Sequence, residues 1–325
     1  MDALTPTNPA GALVPAFSQR LFNSFISYLD ASKKSIETYT RALRPFFTYC
    51  GENGITRPQR ADVLAYRDAL KGTNKSASTV QLYITVVRLF FRWTAQNGLY
   101  PDVAEHVKGA KVDRSHKKDA LTGAQARDIL RVSGKNISTE AGARDYALVS
   151  LMMATGIRTI EAVRADIGDL RARAGETVLF IQGKGHDDKA DWVKVPQAVE
   201  KAIRNYISLR GTYARDTEPL FASVSPRDYG GRMTTRSISR IVKNSFIKAG
   251  YKSSRLTAHS TRHTAVTMAL QAGRSLEEVK DFARHVSIAT TLIYAHDMSA
   301  GAAKDACGDA IAAQLFGGAD GSLGK

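Results

Sequence analysis

The segment from His259 to Tyr294 constrains the fold of this chain more strongly than any other part of it. It places His259, Arg262, His285 and Tyr294 at the ends of short amphipathic stretches, within AHSTRHTA and HVSIATTLIYAH. Arg262 lies three residues after His259, so both side chains can face the same side of a helix start. A fold that uses these residues together must bring the ends of several short helices to one place.

Two further cations lie upstream, and each is next to a predicted break in the chain. Arg158 follows Thr155-Gly156, where a predicted helix ends, and Lys184 lies between two glycines in a predicted turn. A guanidinium can bind two phosphate oxygens at once, and a lysine can donate a proton to a departing oxygen. Each residue taken alone is equally consistent with an ordinary surface side chain.

Tyr294 is a candidate nucleophile for such a site. Because a tyrosine hydroxyl has a pKa of about 10, it is scarcely ionised at neutral pH and needs cations beside the phosphate it attacks. The chain has 12 tyrosines, and Tyr294 is distinguished by its sequence neighbours. These functional groups are sufficient to break and rejoin a phosphodiester: the arginines, the lysine, the histidines and the tyrosine hydroxyl.

The sequence does not predict a metal or a cofactor. His259 and His263 have the four-residue spacing that metal ligands on a helix can use. No third ligand with suitable spacing is apparent, and Cys50 and Cys307 are too far apart in sequence to suggest a paired site. A disulfide framework is not predicted either.

The excess of positive charge indicates the kind of partner. The 325 residues include 46 Lys and Arg against 31 Asp and Glu, a formal net charge of +15. Such a dispersed excess favours nucleic acid over a membrane surface, and a basic protein without a polyanionic partner is the alternative. No apolar run is long enough to cross a bilayer and no signal pattern is recognised, so a cytoplasmic location is predicted.

The predicted fold class is mostly α with a small β-hairpin or sheet, an α+β arrangement. Apolar residues at helical spacing predict four N-terminal helices, with Ser35 as the cap of the second. Two β-rich runs, Thr177–Ile181 and Trp192–Val195, predict a hairpin with Lys184 at its tip. The predicted divisions are a flexible leader (1–15), a helical domain (16–106), a linker (107–119), a second domain (120–300), a C-terminal helix (301–316) and a flexible tail (317–325).

Together these segments resemble the tyrosine recombinase family, also called the phage integrase family. Its ordered signature is Arg, Lys, His-x-x-Arg, His or Trp, then Tyr, and it falls on these residues: Arg158, Lys184, His259, Arg262, His285 and Tyr294. Glu161 stands at the acidic position that accompanies the first arginine. Arg284 is a departure, because the family usually has glycine before the second histidine. The match covers residues 120–300 closely and the helical domain in outline, which implies a two-domain, Xer-like or Cre-like member.

The resemblance implies a site-specific DNA recombinase acting in integration and excision or in dimer resolution. Four side chains would hold the scissile phosphate and stabilise its transition state, with Glu161 orienting them: Arg158, Arg262, His259 and His285. Tyr294 would attack to form a 3′-phosphotyrosyl link, His259 would accept its proton, and Lys184 would protonate the departing 5′-oxygen. The link conserves the energy of the phosphodiester, so no cofactor is implied.

The implied partner is double-stranded DNA with inverted-repeat core sites, on which the chain would assemble into a synaptic tetramer. Residues 301–316 would form an exchange helix that docks into a neighbouring protomer, and accessory proteins are a further class of partner. The cations assigned to DNA contact lie on the helical domain, in the linker and beside His285: Lys33, Lys34, Arg41, Arg44, Lys75, Arg88, Arg92, Lys108, Lys111 and Arg284.

Two other functions remain open at this point. Ala269, Gly273 and Val279 have the spacing of a helix-turn-helix, which would make the chain a DNA-binding regulator without catalysis. That function leaves Arg158, Lys184 and Tyr294 without a role. The other is a type IB topoisomerase, which shares the chemistry but relaxes DNA without sequence specificity.

Overall fold

A computed structural model describes residues 19–112, 119–183, 188–211 and 214–296, and also Cys307 and Ile311. The chain divides into two compact units, Met1–Arg114 and Ser115–Lys325. Several predictions fall outside the described residues: the leader at 1–15, the part of the linker at 113–118, Lys184, almost all of the helix at 301–316, and the tail at 317–325.

The first unit contains four helices that pack around an aromatic core. They are α1 (Gln19–Tyr28), α2 (Lys33–Glu52), α3 (Arg60–Lys71) and α4 (Ala77–Gln96). Phe25, Phe46, Phe90 and Phe91 are fully buried. Edge-to-face packing, such as Phe25 against Phe90 at 5.4 Å between ring centres, fixes how α1, α2 and α4 meet.

The N-terminus of α2 corrects the prediction of its cap. The helix begins at Lys33, and the side chain of Ser32 accepts a hydrogen bond from the backbone N–H of Ser35. Ser35 is therefore the donor in the first turn, and Ser32 is the cap. As a result Lys33 and Lys34 lie on the helix itself rather than in the loop before it.

The second unit contains several helices and a small sheet among its described residues. The helices are α5 (Gly123–Ser133), α6 (Glu140–Thr155), α7 (Thr159–Arg164), α8 (Gln197–Arg210), α9 (Thr235–Lys248), α10 (Ala258–Gln271) and α11 (Leu276–Ala283). The strands are β1 (Leu170–Arg173), β2 (Glu176–Ile181) and β3 (Asp191–Lys194). Residues 288–296 are also helical. The fold class predicted from the sequence is confirmed.

The sheet is antiparallel in the order β1-β2-β3, and one of its faces packs on the core. Leu179, Ile181 and Val193 are buried on that face. The predicted hairpin is β2 and β3, whereas β1 was not predicted. Its sequence, LRAR, is mostly exposed and lacks the β-branched residues that usually indicate a strand.

Helix α6 runs through the centre of the second unit and is apolar on nearly all sides. Ala147, Leu148, Val149 and Leu151 are fully buried, which is the pattern of a helix enclosed by others. It ends at Gly156, whose φ of 60° is left-handed.

No helix in the described part of the chain combines the length and apolarity needed to span a membrane.

Candidate active site

The turn between α6 and α7 positions Arg158 and Glu161. Arg158 is the N-cap of α7, and its backbone N–H donates to Glu161 Oε2 at 2.7 Å while its Nη1 donates to Oε1 at 2.8 Å. Glu161 is fully buried, whereas the Arg158 side chain is 30% exposed. The carboxylate therefore fixes an arginine that still reaches the surface.

Arg262 lies on the first turns of α10 and is almost fully buried. Its Nη1 donates to the carbonyl of Gly156 at 2.7 Å, and its Nη2 donates to the carbonyl of Ala283. Burial, and after it the neighbouring charges of Arg158 and Arg284, lower the pKa of Arg262 from 12.5 to about 10. The guanidinium remains charged at neutral pH, in a pocket where positive charge is concentrated.

Arg284 makes the turn that joins α11 to His285. It is left-handed, with φ 53° and ψ 50°, and the N–H of His285 donates to the carbonyl of Lys280 at 3.0 Å. This is the helix ending at which glycine is usual, because a Cβ is strained there. The carbonyl of Arg284 accepts a hydrogen bond from Arg158 Nη2 at 3.1 Å. Two left-handed turns, at Gly156 and Arg284, thus supply backbone carbonyls to the two arginines.

The side chain of Arg284 faces the protein rather than solvent. It is 10% exposed and donates to Glu161 Oε2 at 2.9 Å, and its Nε lies 3.6 Å from Asp191 Oδ2. DNA contact by Arg284 stays a prediction, and such a contact would have to compete with these carboxylates.

Tyr294 is enclosed by two histidines. Its ring is stacked with that of His285 at 6.0 Å between centres, and it lies 5.0 Å from the ring of His263. His285 Nδ1 is 2.9 Å from the hydroxyl oxygen of buried Thr291, which sets the orientation of the imidazole. Tyr294 itself is 4% exposed.

The ionisation of Tyr294 reflects two opposing influences. Burial raises the pKa of its phenol, and the charges of Arg262 and Arg158 lower it. Burial has the larger effect, so the hydroxyl is protonated at neutral pH. Both guanidinium groups are nevertheless near enough to favour the negative charge that would develop on this oxygen during attack.

His259 is exposed at the edge of this group. Its ring lies 4.7 Å from that of His263, which in turn contacts Tyr294. Among the described residues, no group of three His, Cys, Asp or Glu that could hold a metal includes these histidines. The sequence offers His263 only as one of two histidines at metal-ligand spacing, and its contact with Tyr294 was not predicted.

A cavity of about 570 Å³ lies beside His259, and the sequence did not predict it. Thr159, Arg240 and Lys243 are among its lining residues. Lys243 Nζ donates to the carbonyl of Leu256 at 2.9 Å and so holds the loop before α10. The available signal was the spacing of Arg236, Arg240 and Lys243, which repeats along one side of α9.

The structure brings together Arg158, Glu161, Arg262, His285 and Tyr294, with His259 at the margin. Lys184 lies outside the described residues. The cations of the first unit do not form one group. Arg41, Arg44 and Lys75 line a groove of about 850 Å³ between α2, α3 and α4. The others lie apart from that groove, with Arg88 half-buried and the remainder exposed: Lys33, Lys34, Arg88, Arg92, Lys108 and Lys111.

Comparison with known proteins identifies the family. The phage integrase family matches residues 119–300, and the N-terminal SAM-like domain of phage integrases matches residues 22–98. This chain belongs to the phage integrase family. A tyrosine recombinase XerC of Corynebacterium glutamicum is 31% identical over 311 residues, which cover 90% of this chain and 92% of that protein.

Solved structures of other family members share the fold. An XerH site-specific recombinase bound to a palindromic difH substrate in a post-cleavage complex has a TM-score of 0.69 at 20% identity, covering 85% of this chain and 80% of that one. A lambda integrase tetramer bound to a Holliday junction has a TM-score of 0.63 at 13% identity, covering 85% and 76%. The chain is a tyrosine-type site-specific recombinase that cleaves and rejoins DNA, and the regulator and topoisomerase alternatives are not favoured.

Proposed function

We propose that this recombinase cuts DNA with Tyr294, in a pocket where Arg158 and Arg262 hold the scissile phosphate. The observation that carries this assignment is the place of the buried Tyr294 phenol: its ring is stacked on that of His285, and burial raises its pKa while the nearby charges of Arg262 and Arg158 act against that rise. Among the tyrosines that the structure describes, Tyr294 combines that environment with stacking against His285. A phosphate bound between Arg158 and Arg262 would lie next to the Tyr294 hydroxyl, and the two guanidinium groups would balance the negative charge of the phosphate.

The proposed reaction is a transesterification. The Tyr294 oxygen attacks phosphorus and forms the 3′-phosphotyrosyl bond as the bond from phosphorus to the 5′-oxygen breaks. His259 accepts the phenol proton, and Lys184 donates a proton to the departing 5′-oxygen. His285 completes the set of groups on the nonbridging oxygens, and Glu161 orients Arg158. The reverse attack by a 5′-hydroxyl rejoins the strand and releases the tyrosine.

The proposed substrate is double-stranded DNA with inverted-repeat core sites, and the proposed assembly on it is a tetramer. The palindromic substrate of XerH and the tetramer of lambda integrase support this by analogy. Exposed apolar side chains beside the site, Val286, Ile288 and Leu292, would suit docking of the exchange helix of another protomer. Accessory proteins are part of the same proposal.

The test uses DNA that the protein selects from a random-sequence duplex pool, rebuilt with a nick beside the cut so that the released strand diffuses away. Wild-type protein should give a covalent protein–DNA band on a denaturing gel. Tyr294→Phe should bind the same duplex with unchanged affinity and give no band. Tyr229→Phe is the matched control, since Tyr229 is an exposed tyrosine outside the pocket, and it should react normally. A covalent band from Tyr294→Phe would refute the assignment.

A further inference from the structure

Arg284 occupies a backbone conformation that an arginine does not favour. Its φ of 53° lies in the left-handed region, at the residue where the family usually has glycine. A side chain in this conformation is strained by contact between Cβ and the following carbonyl. The strain is offset if the side chain makes contacts that glycine cannot make.

Those contacts join three parts of the second unit. The guanidinium of Arg284 meets Glu161 on α7 at 2.9 Å and Asp191 on β3 at 3.6 Å, and its Nη1 donates to the carbonyl of Phe282 on α11 at 3.0 Å. Glu161 is fully buried, so its charge is stabilised by the protein instead of by water.

We infer that Arg284 is a positioning residue for Arg158, and that it acts through the carboxylate they share. The inference rests on the proposed function, in which Arg158 binds the scissile phosphate. Arg158 Nη1 donates to Glu161 Oε1, and Arg284 Nη2 donates to Oε2. Each guanidinium therefore takes a different oxygen of one carboxylate.

Sharing the carboxylate keeps Arg158 available to DNA. An arginine and a carboxylate readily form a bidentate pair, in which one guanidinium donates a hydrogen bond to each of the two carboxylate oxygens. With Oε2 held by Arg284, Arg158 places Nη1 on Oε1 and Nη2 on the carbonyl of Arg284, and 30% of its side chain is exposed. Without the Arg284 side chain, Glu161 Oε2 would keep only the backbone N–H of Arg158 as a donor. The Arg158 guanidinium could then bond to both oxygens and would be drawn away from the phosphate.

The charge of the pocket depends on the same residue. Among the described residues, the charged side chains around this carboxylate are Arg158, Arg262 and Arg284 against Glu161 and Asp191. Arg284 gives this group a net positive charge, which would fall to zero without it. Loss of Arg284 should therefore weaken stabilisation of the transition state more than it weakens binding of the whole duplex, which rests on many contacts.

The test compares Arg284→Gly with the wild type. Glycine suits the left-handed turn and keeps the carbonyl that Arg158 uses, so this variant removes the side chain without harming the backbone. We expect strand cleavage at saturating nicked duplex to slow about 10- to 100-fold, a size typical of a displaced catalytic group. Affinity for the duplex and the thermal midpoint should stay within about twofold and a few degrees of wild type. Cleavage by Arg284→Gly at the wild-type rate would overturn the inference.

Two further variants separate positioning from a general loss of charge. Arg284→Lys keeps a cation for Glu161 and should recover most of the cleavage rate, whereas Arg274→Ala removes an exposed cation near α11 and should have no effect. If Arg284 acts through Glu161, then adding Arg284→Gly to Glu161→Gln should slow cleavage little beyond Glu161→Gln alone. If the two substitutions slow cleavage independently, so that their fold-effects multiply in the double variant, then Arg284 does not act through Glu161. Absence of any adduct from the wild type would refute the proposed function itself, a result distinct from normal cleavage by Arg284→Gly.

Discussion

The guanidinium of Arg262 and the phenol of Tyr294 influence each other's ionisation. Burial raises the pKa of Tyr294 and lowers that of Arg262, and each group acts against the shift of the other: the charge on Arg262 favours the ionised phenol, and Tyr294 favours the charged guanidinium. Reciprocal effects of this kind require proximity in a poorly hydrated pocket. When Tyr294 attacks a phosphate, the negative charge that develops would lie close to the positive charge of Arg262.

Replacement of Arg262 by glutamine should remove most of the activity. The neutral side chain no longer favours charge on the phosphate or on Tyr294, so cleavage should slow by about 100-fold or more. Arg262→Lys keeps the positive charge but cannot donate hydrogen bonds to the carbonyls of Gly156 and Ala283 with two separate nitrogens. Its cleavage rate should lie between those of Arg262→Gln and the wild type. Single-turnover cleavage at saturating DNA measures both, and equal rates for Arg262→Gln and wild type would contradict the role.

Gly156→Ala should destabilise the second unit and impair cleavage. Its φ of 60° is unfavourable to alanine by about 1–2 kcal/mol, and the added Cβ would lie 3.3 Å from the Cβ of Ala265. Gly175→Ala is the matched control, because it has φ 78° with no atom within 4 Å of the new Cβ. Urea unfolding should show the larger loss for Gly156→Ala. Equal losses would mean that backbone strain alone matters and that the contact with α10 does not.

Alkali should destabilise the first unit through Cys50. Burial raises the pKa of its thiol from 9.0 to about 12. Because the folded form holds the proton more tightly, the stability linked to Cys50 is fully present below pH 9.0 and is lost as the pH rises to about 12. Cys50→Ala should flatten the fall in unfolding free energy over that range. Tyr66, whose pKa is also raised by burial, leaves a residual slope above pH 10, and an unchanged slope in the variant would disprove the assignment.

The groove cations should determine part of the salt dependence of DNA binding. If Arg41 and Arg44 each neutralise one phosphate, then the double variant Arg41→Gln, Arg44→Gln should reduce the slope of log affinity against log salt by roughly 2. Arg204→Gln is the control, since Arg204 is an exposed α8 arginine paired with Glu200, and it should leave the slope unchanged. Titration of labelled duplex at several salt concentrations measures the slopes, and parallel lines for double variant and wild type would exclude these contacts.

Local signals in the sequence were enough to predict much of the fold. The glycine after Thr155 marks the end of α6, and the two β-rich runs mark β2 and β3, because each signal depends on neighbours within a few residues. The strand β1 was not predicted because two of its four side chains are charged and three are exposed. It is recognisable as a strand only from its pairing with β2.

The sequence showed the residue types of the site but not how they are held. The bond between Arg284 and Glu161 joins residues 123 positions apart, and that between Arg262 and Gly156 joins residues 106 apart. Local periodicity carries no information on such pairs. The stacking of Tyr294 on His285 and its contact with His263 depend likewise on how helices pack, which the pattern of apolar residues does not specify.

The two main-chain carbonyls that grip Arg262 have a consequence for tolerance to acid and to sequence change. A peptide oxygen does not titrate, so mild acidification that would neutralise a carboxylate leaves this clamp intact. Nor does the grip depend on which side chain stands at position 283. Only the backbone path of the two turns, at Gly156 and at Ala283–Arg284, has to be preserved. Surface residues of such a recombinase can therefore vary widely while Arg262 keeps its position.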